Sequence, residues 1–231
     1  MWPWVVRGVW LMVVRHIYTY VNPVRERDME EACKVLPYDG VIALPTETSW
    51  CFVCDADSPK ALERIRKLKP GHPKDRPFSL MCASISAATD VVNIDNNIYP
   101  YLKKTLPGPY TVILERNRSL PRLIHDNRRE VGIRIPAAVL VRTLLERYGR
   151  VLAAATVPSV RLEESGDSEG HLPHFGHEVL EGFGHGLDLI LDLGDEVPGL
   201  ETTIIDCTTG VPSVIRAGAG DPAAFIGAWL K

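Results

Sequence analysis

The chain has 231 residues, a formal net charge of −3, 45% apolar and 24% charged residues. That length suits one domain with an appendage, with a core large enough to need no disulfide or metal staple. Both fractions are ordinary for a globular protein. The small net charge hides a segregation: residues 60–150 hold 18 Lys plus Arg against 8 Asp plus Glu, and residues 151–231 hold 3 against 13. A basic middle beside an acidic end reads either as two solvated faces or as a surface for an anionic ligand such as a nucleotide or RNA.

Residues 1–14 are rich in Trp and Val, broken by Arg7, too short for a bilayer and without a small-residue cleavage site, so residues 1–16 are expected to be an extension and not a membrane anchor. A strand is predicted over 17–21 and a helix over 24–36, stopped by Asp39-Gly40. Residues 40–55 read Gly-Val-Ile-Ala-Leu-Pro-Thr-Glu-Thr-Ser-Trp-Cys-Phe-Val-Cys-Asp. An apolar strand at 41–44 ends at Pro45, which has no N–H to donate. Thr46, Glu47 and Thr48 then set two hydroxyls and a carboxylate on a turn before a second apolar strand at 50–54. Such a triplet is either a ligand grip or an ordinary hairpin corner.

Ser58 and Pro59 open a helix over 58–67, and a Pro-Gly-His-Pro loop follows at 69–76. Lys67, Lys69, Lys74 and Arg76 could meet phosphate there, although a helix C-terminus alone attracts Lys67. Strands are expected at 78–82, 110–115, 131–135 and 151–155, with helices near 84–90, 96–105 and 139–148. Arg134 stands between Ile133 and Ile135, so it faces the side opposite theirs; unless that side is solvent it needs an anion. Arg216 in Val-Ile-Arg-Ala-Gly repeats the pattern.

Residues 159–186 are expected to be a mobile Gly-, Glu- and His-rich loop with one helix near 174–182. His171, His174, His177 and His185 crowd there beside Glu178 and Glu181, and solvated incidental histidines outweigh a metal centre as the reading. Strands at 187–193, 202–207 and 213–216 and a closing helix at 221–230 complete the chain. Strands and helices mix without strict alternation, which indicates α/β or α+β architecture with a mixed sheet. The five cysteines, an odd number, include Cys51-x-x-Cys54 with no second pair; four of the five sit in or beside apolar runs as small hydrophobes, which indicates a reducing, cytoplasmic protein. No Walker loop, dinucleotide fingerprint or nucleophile elbow is present.

Taken in order, several motifs resemble those of YrdC-like domains, from about residue 17 to the C-terminus. They are Pro45-Thr46-Glu47-Thr48, Leu62-Glu63-Arg64-Ile65-Arg66-Lys67-Leu68-Lys69, Arg76-Pro77-Phe78-Ser79-Leu80-Met81-Cys82, Pro107-Gly108-Pro109-Tyr110-Thr111, Val131-Gly132-Ile133-Arg134, Thr202-Thr203-Ile204-Ile205-Asp206 and Val214-Ile215-Arg216-Ala217-Gly218. The Phe-Ser-Leu-Met-Cys run makes the chain most similar to the YciO branch. The resemblance implies an open, twisted mixed sheet flanked by helices and curled around a large basic cavity. It implies a nucleotidyltransferase that makes threonylcarbamoyl-AMP from L-threonine, bicarbonate and ATP with Mg²⁺, releasing pyrophosphate for tRNA modification. Members also bind tRNA or double-stranded RNA.

By resemblance, Lys69 and Arg76 are catalytic. Thr46, Trp50, Arg134 and Thr203 hold threonine, and Lys69, Lys74, Arg76, Thr111 and Arg216 hold the nucleotide. No metal ligands are implied. Trp50 stands where the family usually has Tyr, and Gly71 where its phosphate motif has Arg. Ala153-Ala154-Ala155-Thr156 replaces the Ser/Thr-Ser-Ala-Asn of many synthases, so two or three ligand hydrogen bonds are expected to be lost, at ~0.5–1.5 kcal/mol each.

Overall fold

The computed structural model describes residues 14–71, 77–117, 129–160 and 170–226. The strands are β1 (Arg15–Tyr18), β2 (Ile42–Pro45), β3 (Trp50–Asp55), β4 (Ser79–Met81), β5 (Tyr110–Glu115), β6 (Glu130–Arg134), β7 (Leu152–Thr156), β8 (Leu189–Asp192), β9 (Thr203–Asp206) and β10 (Ser213–Arg216). The helices are α1 (Glu26–Val35), α2 (Pro59–Leu68), α3 (Ile85–Ala88), α4 (Tyr99–Thr105), α5 (Val139–Tyr148), α6 (Gly176–Phe183) and α7 (Pro222–Ile226). The strands form one open mixed sheet in the order β1-β8-β2-β3-β7-β4-β6-β5-β9-β10. Among the described residues no helix is long and apolar enough to cross a membrane.

The apolar pattern dictates the layering. In β2 and β3 every residue is buried, as continuous apolar runs at a sheet centre should be. One face carries Trp50, Phe52, Leu80, Val112, Ile133, Ala153 and Ile205 against Ile65 of α2, Leu102 of α4 and Phe225 of α7. The other carries Leu44, Cys51, Val53, Leu152 and Leu189 against Met29 of α1 and Leu140 and Leu144 of α5. This second cluster stops part-way along the sheet. Beyond it the same face presents Ser79, Gly132, Thr111, Ile113 and Ile204, all half-buried.

Local signals explain the element ends. The Ser58 hydroxyl accepts from the Ala61 N–H at 3.0 Å and donates to Asp39 at 2.6 Å, with Pro59 in the first turn of α2. Gly149, at φ +71°, ends α5 in the left-handed region. β1 begins at Arg15, two residues earlier than expected, because its register with β8 runs from Arg15–Leu189 to Tyr18–Asp192. β7 ends one residue later than expected, because Thr156 pairs with Cys51.

The segment expected to be mobile at 159–186 is anchored where it is described. Val160 and His171 exchange backbone hydrogen bonds, at 2.8 and 3.1 Å. Glu178 then caps its own helix, accepting from the His174 and Phe175 N–H groups at 2.6 and 2.7 Å, while His171 lies at 2.8 Å. Burial alone would raise the Glu178 pKa; the His171 contact and the two backbone donors outweigh it and hold the group below its ordinary 4.5. A depressed folded value means stability that is complete above about pH 4.5 and is lost as pH falls through the lower folded value. Urea titrations from neutral to acid pH should therefore show a shallower acid loss in Glu178→Gln than in wild type.

Candidate functional site

The β2–β3 turn is built by one hydroxyl. Thr46 Oγ1 donates to the Ser49 carbonyl at 2.8 Å and accepts from the Thr48 and Ser49 N–H groups, each at 3.2 Å. Its backbone N–H also meets Ser49 O, at 3.1 Å. The side chain named as a threonine grip thus has its donor and its acceptor capacity engaged within its own turn, and is buried. The carboxylate beside it reaches outward instead: Glu47 Oε2 accepts from the Ala138 N–H at 3.2 Å, just before α5.

Arg134 is the most unusual group nearby. Only 4% of it is exposed. Nη1 lies 3.4 Å from the Cys51 sulfur, Nη2 is buried without a hydrogen bond, and none of the described carboxylates pairs with it. β6 and β3 are separated in the sheet by β7 and β4. Three strand spacings of about 4.8 Å are too far for this contact across a flat sheet, so the sheet curls toward the Arg134 side. A nearly buried guanidinium with an unused donor calls for an anion.

Other polar groups gather on the same face. Thr111 and Thr202 hydroxyls lie 2.9 Å apart. Ser79 donates to the Ala154 carbonyl at 3.2 Å. A side chain at Gly132 would come within 3.1 Å of the Thr111 methyl, so glycine leaves the floor low between Thr111 and Ser79. Lys69, at the end of α2, reaches round to the Thr156 carbonyl, Nζ to O at 2.7 Å. Thr156 pairs with Cys51, so Lys69 and Arg134 converge on one strand pair from different elements.

The remaining expected residues fall elsewhere. Trp50 is fully buried on the opposite face, with Nε1 3.4 Å from the His174 carbonyl, and offers no surface to a ligand. The Thr203 hydroxyl donates to the Gly220 carbonyl and accepts from the Gly218 N–H at 2.9 Å, tying down the C-terminal segment. Arg216 is held by the Thr202 carbonyl, at 2.9 and 3.2 Å, and by Glu201 at 2.7 Å. Lys74 and Arg76 lie outside the described residues. Ser79, Gly132, Thr156 and Thr202 were not singled out; period-two alternation in their strands was the signal that could have placed them with Thr111 and Arg134.

The alanines of β7 divide between the two faces. Ala153 and Ala155 pack in the cluster with Trp50 and Phe52, whereas Ala154 faces the Arg134 side and Thr156 shares its phase. Positions 154 and 156 thus share the Arg134 face, and 156 keeps a hydroxyl.

Neither metal reading gathers ligands. Cys51 and Cys54 point to opposite faces, and burial pushes the Cys54 thiol up to about 12. His171 meets Glu178, while His174 Nδ1 sits 2.8 Å from the Val197 carbonyl. Among the described residues no three His, Cys, Asp or Glu side chains converge as a metal site.

The chain is thus an α/β domain built on one open mixed sheet, with Arg134 and the Thr111 and Thr202 hydroxyls on one curled face and Lys69 meeting the end of β7 at a backbone carbonyl. The Sua5, YciO and YrdC family model, described as "Telomere recombination", matches residues 34–218, and the chain belongs to that family. The YciO protein of Escherichia coli (strain K12) is 30% identical over 217 residues, 90% of this chain and 98% of that one. Its crystal structure superposes with a TM-score of 0.77, covering 92% of this chain and 98% of that one. The threonylcarbamoyl-AMP synthase of Pyrococcus abyssi is 30% identical over 87% of this chain, which spans 58% of the archaeal protein. P. abyssi Sua5 complexed with L-threonine matches at 28% identity and a TM-score of 0.72, over 89% of this chain and 57% of the archaeal one.

Two substitutions separate frame from site. Thr46→Ala leaves buried turn N–H groups unsatisfied and should lower the unfolding free energy by about 1–3 kcal/mol in urea titration. Arg134→Met removes a buried unpaired charge and should leave stability unchanged or raise it by about 1–4 kcal/mol, while weakening any anion bound there.

Proposed function

We propose that the protein is a threonylcarbamoyl-AMP synthase-like enzyme that binds ATP and L-threonine on the curled face of the sheet. The observation that carries this reading is Arg134, a buried cation whose Nη2 has no partner. The family relation, including a relative solved with L-threonine, supplies the substrate class.

In this reading the threonine amine adds to bicarbonate with loss of water and gives a carbamate. A carbamate oxygen then bonds to the α-phosphorus of ATP as the bond to the bridging β-oxygen breaks, and pyrophosphate leaves. The protein's task is to hold anions together in a water-poor place and to meet charge that shifts onto pyrophosphate. Arg134 takes the substrate carboxylate at the dry end. Lys69 meets phosphate from the Thr156 side, and the family resemblance assigns Lys74 and Arg76, which lie outside the described residues, to the nucleotide as well. Thr111 and Thr202 offer hydroxyls along the floor. Thr46, Trp50, Thr203 and Arg216 act by holding the turn, the core and the C-terminal segment that frame this face. Mg²⁺ enters with ATP as part of the substrate.

The test is threonine-dependent pyrophosphate release from ATP, Mg²⁺ and labelled bicarbonate. Release should depend on all components, and Lys69→Ala should lower turnover by roughly 10²–10³-fold, the range for losing one transition-state donor. Threonine-independent release would point to another acceptor. No release, with tRNA binding that weakens steeply as salt rises, would replace the enzyme by an RNA-binding module.

A further inference from the structure

Two buried polar atoms near the site lack partners, and they carry opposite charge. Glu47 sends Oε2 to the Ala138 N–H at 3.2 Å, and its Oε1 is buried with no hydrogen bond. Arg134 sends Nη1 to the Cys51 sulfur at 3.4 Å, and its Nη2 is likewise buried and unbonded. The two reaches are reciprocal. Glu47 crosses from the β2–β3 turn to a residue four beyond Arg134, and Arg134 crosses from β6 to a residue four beyond Glu47. Both contacts thus tie the β2–β3 hairpin to the segment 134–138, and the two heads do not bond to each other.

A single unpaired charge in such a place is costly, and two of opposite sign are a stronger signal than either. A glutamine would hold the Ala138 N–H as well as Glu47 does. The second oxygen and the charge are surplus to that bond. A ligand with a cationic donor and an anionic acceptor on neighbouring atoms satisfies both orphans at once, and a zwitterionic α-amino acid is the simplest such group.

We propose that Glu47 Oε1 accepts from the ammonium group of the amino-acid substrate while Arg134 Nη2 donates to its carboxylate. The identity of that amino acid as L-threonine rests on the synthase reading; the assignment of Glu47 rests on the orphaned oxygen. Glu47 is then the residue that distinguishes an amino acid from a hydroxy acid of the same shape, because a hydroxyl can still donate to Oε1 but brings no positive charge to meet the carboxylate.

The experiment is titration calorimetry with L-threonine and with a dihydroxybutanoate in which a hydroxyl replaces the amine. Wild type should prefer threonine by roughly ten- to a hundredfold. Glu47→Gln keeps an acceptor for Ala138; it should lose that preference and bind the dihydroxy acid as wild type does. Equal losses for both ligands, an unchanged preference, or a folded wild type that binds neither at millimolar concentration overturns the assignment. N-acetyl-L-threonine, which keeps the carboxylate and lacks the cation, gives the same reading on wild type should the variant not fold: it must bind as weakly as the dihydroxy acid, and parity with threonine overturns the assignment. A Glu47-dependent preference in a protein that releases no pyrophosphate upholds the assignment and removes the synthase reading.

Discussion

The hydroxyl of Thr46 closes a turn on which three distant connections depend. Glu47 holds the Ala138 N–H before α5, the Thr48 carbonyl accepts from Leu200 at 2.9 Å, and Trp50 reaches the His174 carbonyl before α6. The turn also continues into β3, whose Trp50 carbonyl accepts from Val157 at 2.9 Å just past β7. Ordering these long connections separately would cost chain entropy at each closure. Fixing them to one buried turn lets the cooperative sheet core bear that cost. The polar triplet thus acts mainly as a fastening, with Glu47 alone presenting an unused atom.

Electrostatics on the curled face follow from that frame. Arg134 is nearly buried on the sheet face that also carries the apolar cluster of Leu44, Val53 and Leu152, so its surroundings are of low dielectric. In such surroundings a guanidinium interacts strongly with whatever anion arrives, and is penalised while none is present. Lys69 occupies a different regime, at the end of a helix and bonded to a carbonyl oxygen, where its charge is better hydrated and less costly to keep.

Much of this was legible in the chain. The apolar runs at 41–44 and 50–54 gave the two central strands, and Ser58-Pro59 gave the start of α2 within one residue. Arg134 was legible as a charge needing a partner, because its neighbours Ile133 and Ile135 fix its face. The roles of Thr46, Thr203 and Arg216 were not legible, since a hydroxyl or guanidinium that closes a turn looks the same in sequence as one that binds a ligand. The anchoring of the His-rich segment was hidden for a related reason: Glu178 reads as one acid among many until α6 places it beneath two free N–H groups. The sharing of one floor by Ser79, Gly132 and Thr111 needed the strand order, and adjacency of β4, β6 and β5 is a tertiary fact.

The same limit governs the departure at residues 153–156. Read as a string, three alanines in place of hydroxyls look like a stripped ligand wall. The pleat sends Ala153 and Ala155 into the core with Phe52, where hydroxyls would need partners that the cluster does not supply. At position 154 a small apolar side chain stands between Val53 and Ser79 in the register, and its carbonyl already accepts from Ser79. At 156 the hydroxyl survives, and the carbonyl positions Lys69. β7 therefore contributes to the site chiefly through its backbone, which substitution of side chains does not remove. In the proposed reading, selectivity on this face therefore rests on groups whose geometry β7 leaves untouched: the Thr111–Thr202 hydroxyl pair and the opposed charges of Glu47 and Arg134.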